Sequence, residues 1–205
     1  MSTVITRLFD TYEQASQAVA DLEASGIAHA DISIVANNTE GRYGTAAPGA
    51  TPLGTADAPA TGAGTGATLG TVVGGGAGLL AGLGMLAIPG IGPVVAAGWL
   101  VATALGAGVG AASGGLLGSL VGAGVEEADA HVYAEGVRRG GTLVTVRAPD
   151  GQGPTVEAML AKYSGIDARQ RGDEYRASGW SKFDETAPAY AAGASPMLGT
   201  TTTRL

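Results

Sequence analysis

Cysteine is absent from this 205-residue chain, and charged residues are scarce. Without cysteine there is no disulfide framework, no thiolate metal site and no thiol nucleophile. Charged residues make up 14% of the chain, against about 25% in an average globular protein. They avoid the middle altogether, because no Asp, Glu, Lys, Arg or His occurs from Ala58 to Val125. The net charge of -7 and the lack of a Lys/Arg cluster argue against a nucleic-acid partner.

Histidine is also rare, with only His29 and His131 in the chain. His29 precedes a predicted strand, in a turn where a solvated side chain is the common case. His131 lies near Glu127 and Asp129, but such a set does not make a closed metal site. The stretch 76–81 imitates a dinucleotide-binding turn, yet the acidic residue about 20 positions later is missing. We therefore predict no catalytic residue, no metal, no cofactor and no small-molecule substrate.

Glycine is abundant instead, with 36 residues, and it recurs at four-residue spacing in the uncharged middle. On a helix, residues four apart lie one above another, so each row leaves a groove without side chains. Such a groove lets another backbone approach closely, as in membrane helix pairs. Each interior glycine costs roughly 1 kcal/mol of helix stability relative to alanine, so tight packing must compensate. The predicted helix-packing residues are Gly66, Gly70, Gly74, Gly78, Gly82, Gly106, Gly110, Gly114, Gly118 and Gly122.

These rows predict a glycine-zipper helical hairpin over residues 66–125. Leu69 to Ile88 holds about 20 uncharged residues, the length that spans a hydrocarbon core as a helix. Pro89 to Pro93 breaks the helix and forms a turn, and Val94 to Val125 is apolar again. Two crossings would return both flanks to one side of a membrane. The alternative is a soluble core, in which the same apolar helices are buried in a large oligomer.

The flanks predict a small α+β domain split by this insertion. Residues 1–37 have the pattern of a strand, a helix and a strand, with Thr11 and Gln14 as a capping box at the helix start. Residues 126–176 continue the domain. Together the flanks give two strand-helix-strand halves of the ferredoxin-like type, packed into one sheet with helices on a face. In the second half we predict a helix over 126–139, a strand over 142–147, a helix over 154–163 and a last strand over 166–171.

Two further segments contain few large apolar residues. Residues 38–65 are rich in Gly, Ala, Thr and Pro, which predicts a flexible linker. For residues 177–205 we predict an extended or disordered tail, in which Trp180, Phe183 and Tyr190 are isolated aromatic anchors.

Three segments outside the glycine rows form a recognisable pattern. They are Val4 to Asp10 running into Ala15, Ala18, Leu22, Gly26, Ile32 and Val35, then Tyr133 to Val146, and finally Trp180 with Phe183, Asp184 and Tyr190. In these flanks, a little over half the chain, the sequence resembles the bacterial heat-induced general stress protein family. The stretch Tyr133 to Val146 is the most specific part. The resemblance implies a stress-related, non-enzymatic role and supplies no active-site residue.

The sequence thus predicts a non-enzymatic, stress-related protein that associates with itself through glycine-zipper helices. We expect it in the bacterial cytoplasmic membrane, with the lipid bilayer as a second partner and the α/β domain in the cytoplasm. The first alternative is a soluble cytoplasmic protein that self-assembles through the same rows. The second alternative is a ligand-binding regulatory domain of the ferredoxin-like type.

Overall fold

The computed structural model describes residues 2–39, 41, 84–88, 90–100, 115–187 and 190, and this part is an α+β structure. Its strands are β1 (Thr3–Phe9), β2 (Ile32–Asn37), β3 (Gly84–Ile88), β4 (Gly92–Gly98) and β5 (Thr142–Ala148). Its α-helices are α1 (Tyr12–Ala24), α2 (Gly115–Gly122), α3 (Glu127–Arg138), α4 (Gly153–Lys162) and α5 (Ala168–Ala177). The mixed class agrees with the sequence prediction.

The strands form one sheet in the order β1-β5-β2-β4-β3, and every neighbouring pair is antiparallel. β5 therefore lies between β1 and β2, which run parallel to each other. Val144 of β5 lies opposite Arg7 of β1 on one side and Ile34 of β2 on the other. The last strand in the sequence thus pairs with the first two.

Local signals explain the elements at the N-terminus. The Thr11 hydroxyl accepts a hydrogen bond from the Gln14 backbone N–H at 3.3 Å and caps α1. The Gln14 side-chain oxygen has no hydrogen-bond partner among the described residues, so only the Thr11 half of the predicted capping box forms. Gly26, at φ +96°, ends the helix in the left-handed conformation that glycine adopts without strain. β1, α1 and β2 are therefore confirmed, and the predictions for α3, β5 and α4 hold within two residues at each end.

Helices cover both faces of the sheet, whereas the sequence predicted helices on one face. α1 and α4 pack on the first face around what we call the α1-side core. α2, α3 and α5 pack on the second face around the α3-side core. β5 supplies Val144 and Val146 to the first core and Leu143 to the second, as its alternation predicts. A strand buried on both faces therefore needs apolar residues on both.

The predicted helical hairpin is wrong over residues 84–88 and 92–98, whereas Gly115–Gly122 in its second arm is a helix, as predicted. Gly84–Ile88 and Gly92–Gly98 are strands, not helices. The predicted turn between them is confirmed, because Gly90 has φ +74° and the Ile91 N–H donates to the Ile88 carbonyl at 3.1 Å. The physical reason is that β4 satisfies its backbone groups by pairing with the free edge of β2. A short apolar run is compatible with either structure, and tertiary pairing decides.

The predicted strand over residues 166–171 is also wrong. Only Ile166 pairs with a strand, through two backbone hydrogen bonds with Leu8 of 2.8 and 2.9 Å. The Asp167 carboxylate then accepts from the Gln170 N–H at 2.8 Å and caps α5. Most of the predicted linker 38–65, and residues 66–83 and 101–114 of the predicted hairpin, lie outside the described residues.

Candidate functional site

Helix α2 buries one face and exposes the other. Leu116 and Leu120 are 4% and 0% exposed and belong to the α3-side core. Gly118 and Gly122 lie on the far side of the helix, because two residues correspond to a rotation of about 200°. Beside them lies Val121, the large hydrophobic side chain that the described residues leave exposed, at 42%. We call Gly118, Val121 and Gly122 the α2 outer face.

The fold holds α2 at both ends. A Cβ on its first residue, Gly115, would lie 3.0 Å from Cγ2 of Ile88, at the end of β3. At the other end, Gly124 has φ +95° and the Val125 N–H donates to the Leu120 carbonyl at 3.0 Å. This left-handed cap turns the chain directly into α3, against which α2 packs. The direction of the α2 outer face is therefore set by the domain.

Two of the predicted helix-packing glycines lie in the described part of the chain. Gly118 is half-buried, Gly122 is exposed, and both are helical. A Cβ on Gly122 would meet no atom within 4 Å, so the described residues do not require glycine there. The remaining predicted positions lie outside the described residues: Gly66, Gly70, Gly74, Gly78, Gly82, Gly106, Gly110 and Gly114.

A buried charge cluster lies on the other side of α3. The Glu135 side chain is fully buried, and its Oε1 accepts a 2.7 Å hydrogen bond from Arg139 Nε. Its Oε2 accepts a 3.3 Å bond from Arg138 Nη1. These arginines follow Glu135 at positions i+3 and i+4, on the same helix face. Because an unpaired buried carboxylate is costly, both arginines are needed to compensate its burial.

Arg171 of α5 forms the second part of the cluster. Its guanidinium, in a side chain that is 4% exposed, donates to Asp10 at the end of β1 and to Glu174 at 3.0 Å. Between the two parts lies Tyr175, whose ring centroid is 4.2 Å from the Arg139 guanidinium carbon. Burial raises the pKa of Tyr175 to about 12. The cluster therefore ties β1, α3 and α5 together.

The chain after α5 covers this cluster. Phe183 is 4% exposed and belongs to the α3-side core. The Tyr190 hydroxyl donates to Glu135 Oε1 at 3.3 Å. A Cβ on Gly90, in the β3–β4 turn, would lie 2.9 Å from the Asp184 carbonyl oxygen. The backbone of the turn therefore packs against the backbone of the tail and leaves no room for a side chain. Phe183 and Tyr190, two of the predicted aromatic anchors, thus contact the domain.

The chemistry of the cluster is charge pairing. General acid–base catalysis needs a group that titrates near the working pH, and burial raises the pKa of Tyr175 to about 12, above that range. His131 lies on α3, and its Nδ1 is buried without a hydrogen-bond partner in the described part of the chain. Across those same residues, no three His, Asp or Glu side chains come together as a metal site would require.

The sequence analysis missed the buried charge cluster. Its one signal was the spacing of Glu135 with Arg138 and Arg139, which is visible in the sequence as a helical ion pair. Such pairs are usually solvated, and only the packing of α5 and the tail buries this one.

Comparison of the chain with protein-family models, with curated proteins and with solved structures found no match. The resemblance to the general stress protein family therefore stays a prediction. Among the residues described, no helix has both the length and the apolar character needed to cross a membrane.

Proposed function

We propose that this chain is a non-enzymatic protein that associates with itself through its glycine rows, and that the α2 outer face is part of the contact. The observation that carries the proposal is that Gly122 and Val121 are both exposed on the face of α2 opposite the core. The half-buried Gly118 lies on the same helix face. A second copy that covers this face would bury Val121 and gain close backbone contact along the glycines.

The contrast with other glycines supports this proposal. A Cβ on Gly136, in α3, would lie 2.3 Å from Cδ2 of Leu8, so packing within the chain requires glycine there. A Cβ on Gly122 would meet nothing. A helical glycine costs roughly 1 kcal/mol relative to alanine. A contact between Gly122 and atoms outside the described residues would explain why glycine occupies this position despite its cost to helix stability.

Between assembly in water and assembly in a membrane, we favour an oligomer in water in which each copy carries a folded domain. β3 removes Gly84–Ile88 from the predicted first apolar helix and leaves residues 69–83. That remainder is shorter than the roughly 20 residues that span a hydrocarbon core. The second candidate is anchorage in the bacterial cytoplasmic membrane with the domain in the cytoplasm. The run from Ala58 to Val125 without any charge favours it.

We also infer a ferredoxin-like core for the domain. The parallel strands β1 and β2, with β5 between them and α1 connecting them, have the arrangement of a split β-α-β unit. β5, α4 and Ile166 have the same arrangement around β1. The stress-related role rests on the sequence resemblance alone and is proposed on that basis.

Sedimentation velocity on the parent and on Gly118→Leu and Gly122→Leu tests the contact. We expect the leucine variants to sediment as smaller species, because a bulky side chain keeps the backbones apart. Gly118→Ala and Gly122→Ala keep the residues small and should keep the oligomer. Ala20→Leu, on the exposed face of α1, is the matched control for an added surface leucine.

Fractionation of cells that express the parent chain, with and without detergent, distinguishes the two surroundings. A discrete large particle in the soluble fraction supports the aqueous oligomer. Recovery from the membrane fraction only with detergent supports the second candidate.

In the sedimentation experiment, leucine variants that assemble as strongly as the parent would show that the α2 outer face is not the contact, and the proposed function would be wrong.

A further inference from the structure

The two edges of the sheet are protected very differently. Along β1, the backbone of Leu8 exchanges two hydrogen bonds with that of Ile166, so the chain after α4 pairs with this edge at one residue. β3 is the other outermost strand, and no described strand pairs with its outer side. Natural proteins blunt such edges with charge, proline or bulges. Gly84–Ile88 is uncharged and has no proline, and it pairs regularly with β4.

We propose that the outer edge of β3 pairs antiparallel with β3 of a second copy of this chain, which gives one continuous sheet across the dimer. This interface is separate from the α2 outer face and does not rest on the helix contact proposed above. The two copies would be related by a two-fold axis through Leu86. Leu86 then faces its own counterpart, Met85 faces Ala87, and Gly84 faces Ile88. Any shifted register loses pairs from a strand this short.

Charge is the reason for choosing a second copy as the partner. In a two-fold contact the same surface meets itself, so residues lie near their own counterparts. The chain has a net charge of -7, so a two-fold contact between charged surfaces would on balance bring acidic residues together. β3, β4 and α2 lie within the run that has no charged residue, so two copies can meet there without that repulsion.

The acidic residues that contact the β3–β4 turn do not oppose this geometry. The Asp184 and Glu185 backbones lie against Gly90, beyond the end of β3. Gly90 is four residues from the proposed axis, about 13 Å at the usual rise per residue. In an antiparallel dimer the two turns point in opposite directions, about 26 Å apart. This separation exceeds the Debye length of about 8 Å at physiological salt.

Composition argues against an edge partner from the preceding part of the same chain. Residues 62–82 have glycine at every fourth position and additional glycines at 64, 75 and 76. Glycine weakens a strand, because it has no side chain to pack and loses more entropy on ordering. β3 itself has Met85, Leu86 and Ile88, so a second copy offers the better strand.

Site-specific cross-linking tests the proposal, and the absence of native cysteine makes it clean. Residues that lie opposite each other in an antiparallel pair are about 4.5 to 5.5 Å apart, within the range that a disulfide spans. Under mild oxidation we expect Leu86→Cys to give a disulfide-linked dimer on a non-reducing gel. Ala20→Cys, on the exposed face of α1, is the control. The Leu86 variant should cross-link about tenfold faster or more, because a formed pair raises the effective thiol concentration.

A second variant reports on the same edge without a cross-link. Ala87→Lys places two like charges in each dimer edge, and the dimer should dissociate while circular dichroism shows an intact fold. If this variant does not fold, the cysteine result decides. Equal cross-linking at positions 86 and 20, or none at 86, overturns the proposal, and an edge covered by the same chain gives the latter result. If Leu86→Cys still cross-links when combined with Gly118→Leu, the β3 interface forms independently of the helix contact at the α2 outer face. The two proposals can therefore fail separately.

Discussion

Replacing Gly98 with alanine is the sharpest test of the strand β4. Gly98 lies eight residues before Gly106, at the same four-residue spacing, within the segment predicted as the second helix. If that segment were a helix, alanine at position 98 would stabilise it by roughly 1 kcal/mol. In the structure, Gly98 ends β4 at φ +99°, opposite Ser33 of β2. A Cβ there would lie 2.2 Å from the Ile32 carbonyl oxygen and 2.6 Å from Ser33 Cα. The helix and the strand interpretations therefore predict opposite changes in stability for Gly98→Ala.

The structure also sets the size of the effect. A side chain held in a left-handed conformation costs about 1 to 3 kcal/mol. The clash is with backbone atoms of β2, which cannot rotate away, and overpacking of this kind costs about 1 to 3 kcal/mol more. We therefore expect Gly98→Ala to lower the free energy of unfolding by about 4 kcal/mol. For a chain of this size, that lowers Tm by roughly 8 to 16 °C.

Thermal and urea unfolding, followed by far-ultraviolet circular dichroism, measure this change. Gly122→Ala is the matched control, because it is helical and its added Cβ meets nothing within 4 Å. It should leave stability unchanged or raise it by up to about 1 kcal/mol. A Gly98→Ala variant as stable as the parent would refute the close approach of β4 to β2, and with it the assignment of residues 92–98 to the sheet.

Two further outcomes are expected from the buried groups. Val144→Asp should unfold the domain, because Val144 is fully buried in β5, which pairs with a strand on each side, and an unpaired carboxylate there costs several kcal/mol. Ala20→Asp, at an exposed position of α1, is the control. An unchanged melt for Val144→Asp would show that the β5 assignment is wrong. Burial raises the pKa of both Tyr133 and Tyr175 from 10.0 to about 12, so the folded state favours the neutral phenols. Their contribution to stability is fully present below pH 10 and is lost as the pH rises from 10 through about 12. An alkaline titration of phenolate absorbance should show these two tyrosines ionising near pH 12 for as long as circular dichroism shows a folded protein, and their ionisation near pH 10 in a folded protein would contradict this.

The sequence was sufficient for the elements whose signals are local. The capping box at Thr11, the left-handed Gly26 and the alternation around Val144 each act within a few residues. They identify α1, its end and β5 without knowledge of the rest of the fold.

Elements decided by distant partners could not be predicted in this way. Val94 to Ala97 is a short apolar run that fits a helix or a buried strand equally well, and the free edge of β2 selects the strand. Asp167 and Gln170 were a readable helix-start signal, but the apolar Ile166 before them suggested a strand. The burial of Glu135 depends on α5 and on the tail, so helical spacing alone could not reveal it.

The position of β5 between β1 and β2 constrains when the sheet can form during synthesis of the chain. β1 pairs with β5 and, at one residue, with Ile166, so its edges stay unpaired until the second half of the chain has been made. At about 5 to 20 residues per second, the interval between completion of β2 and of β5 is several seconds or longer. During this time the uncharged, glycine-rich middle is already exposed while the sheet that should anchor it is incomplete. Neighbouring nascent chains on one messenger therefore have their best opportunity to meet before either domain has closed.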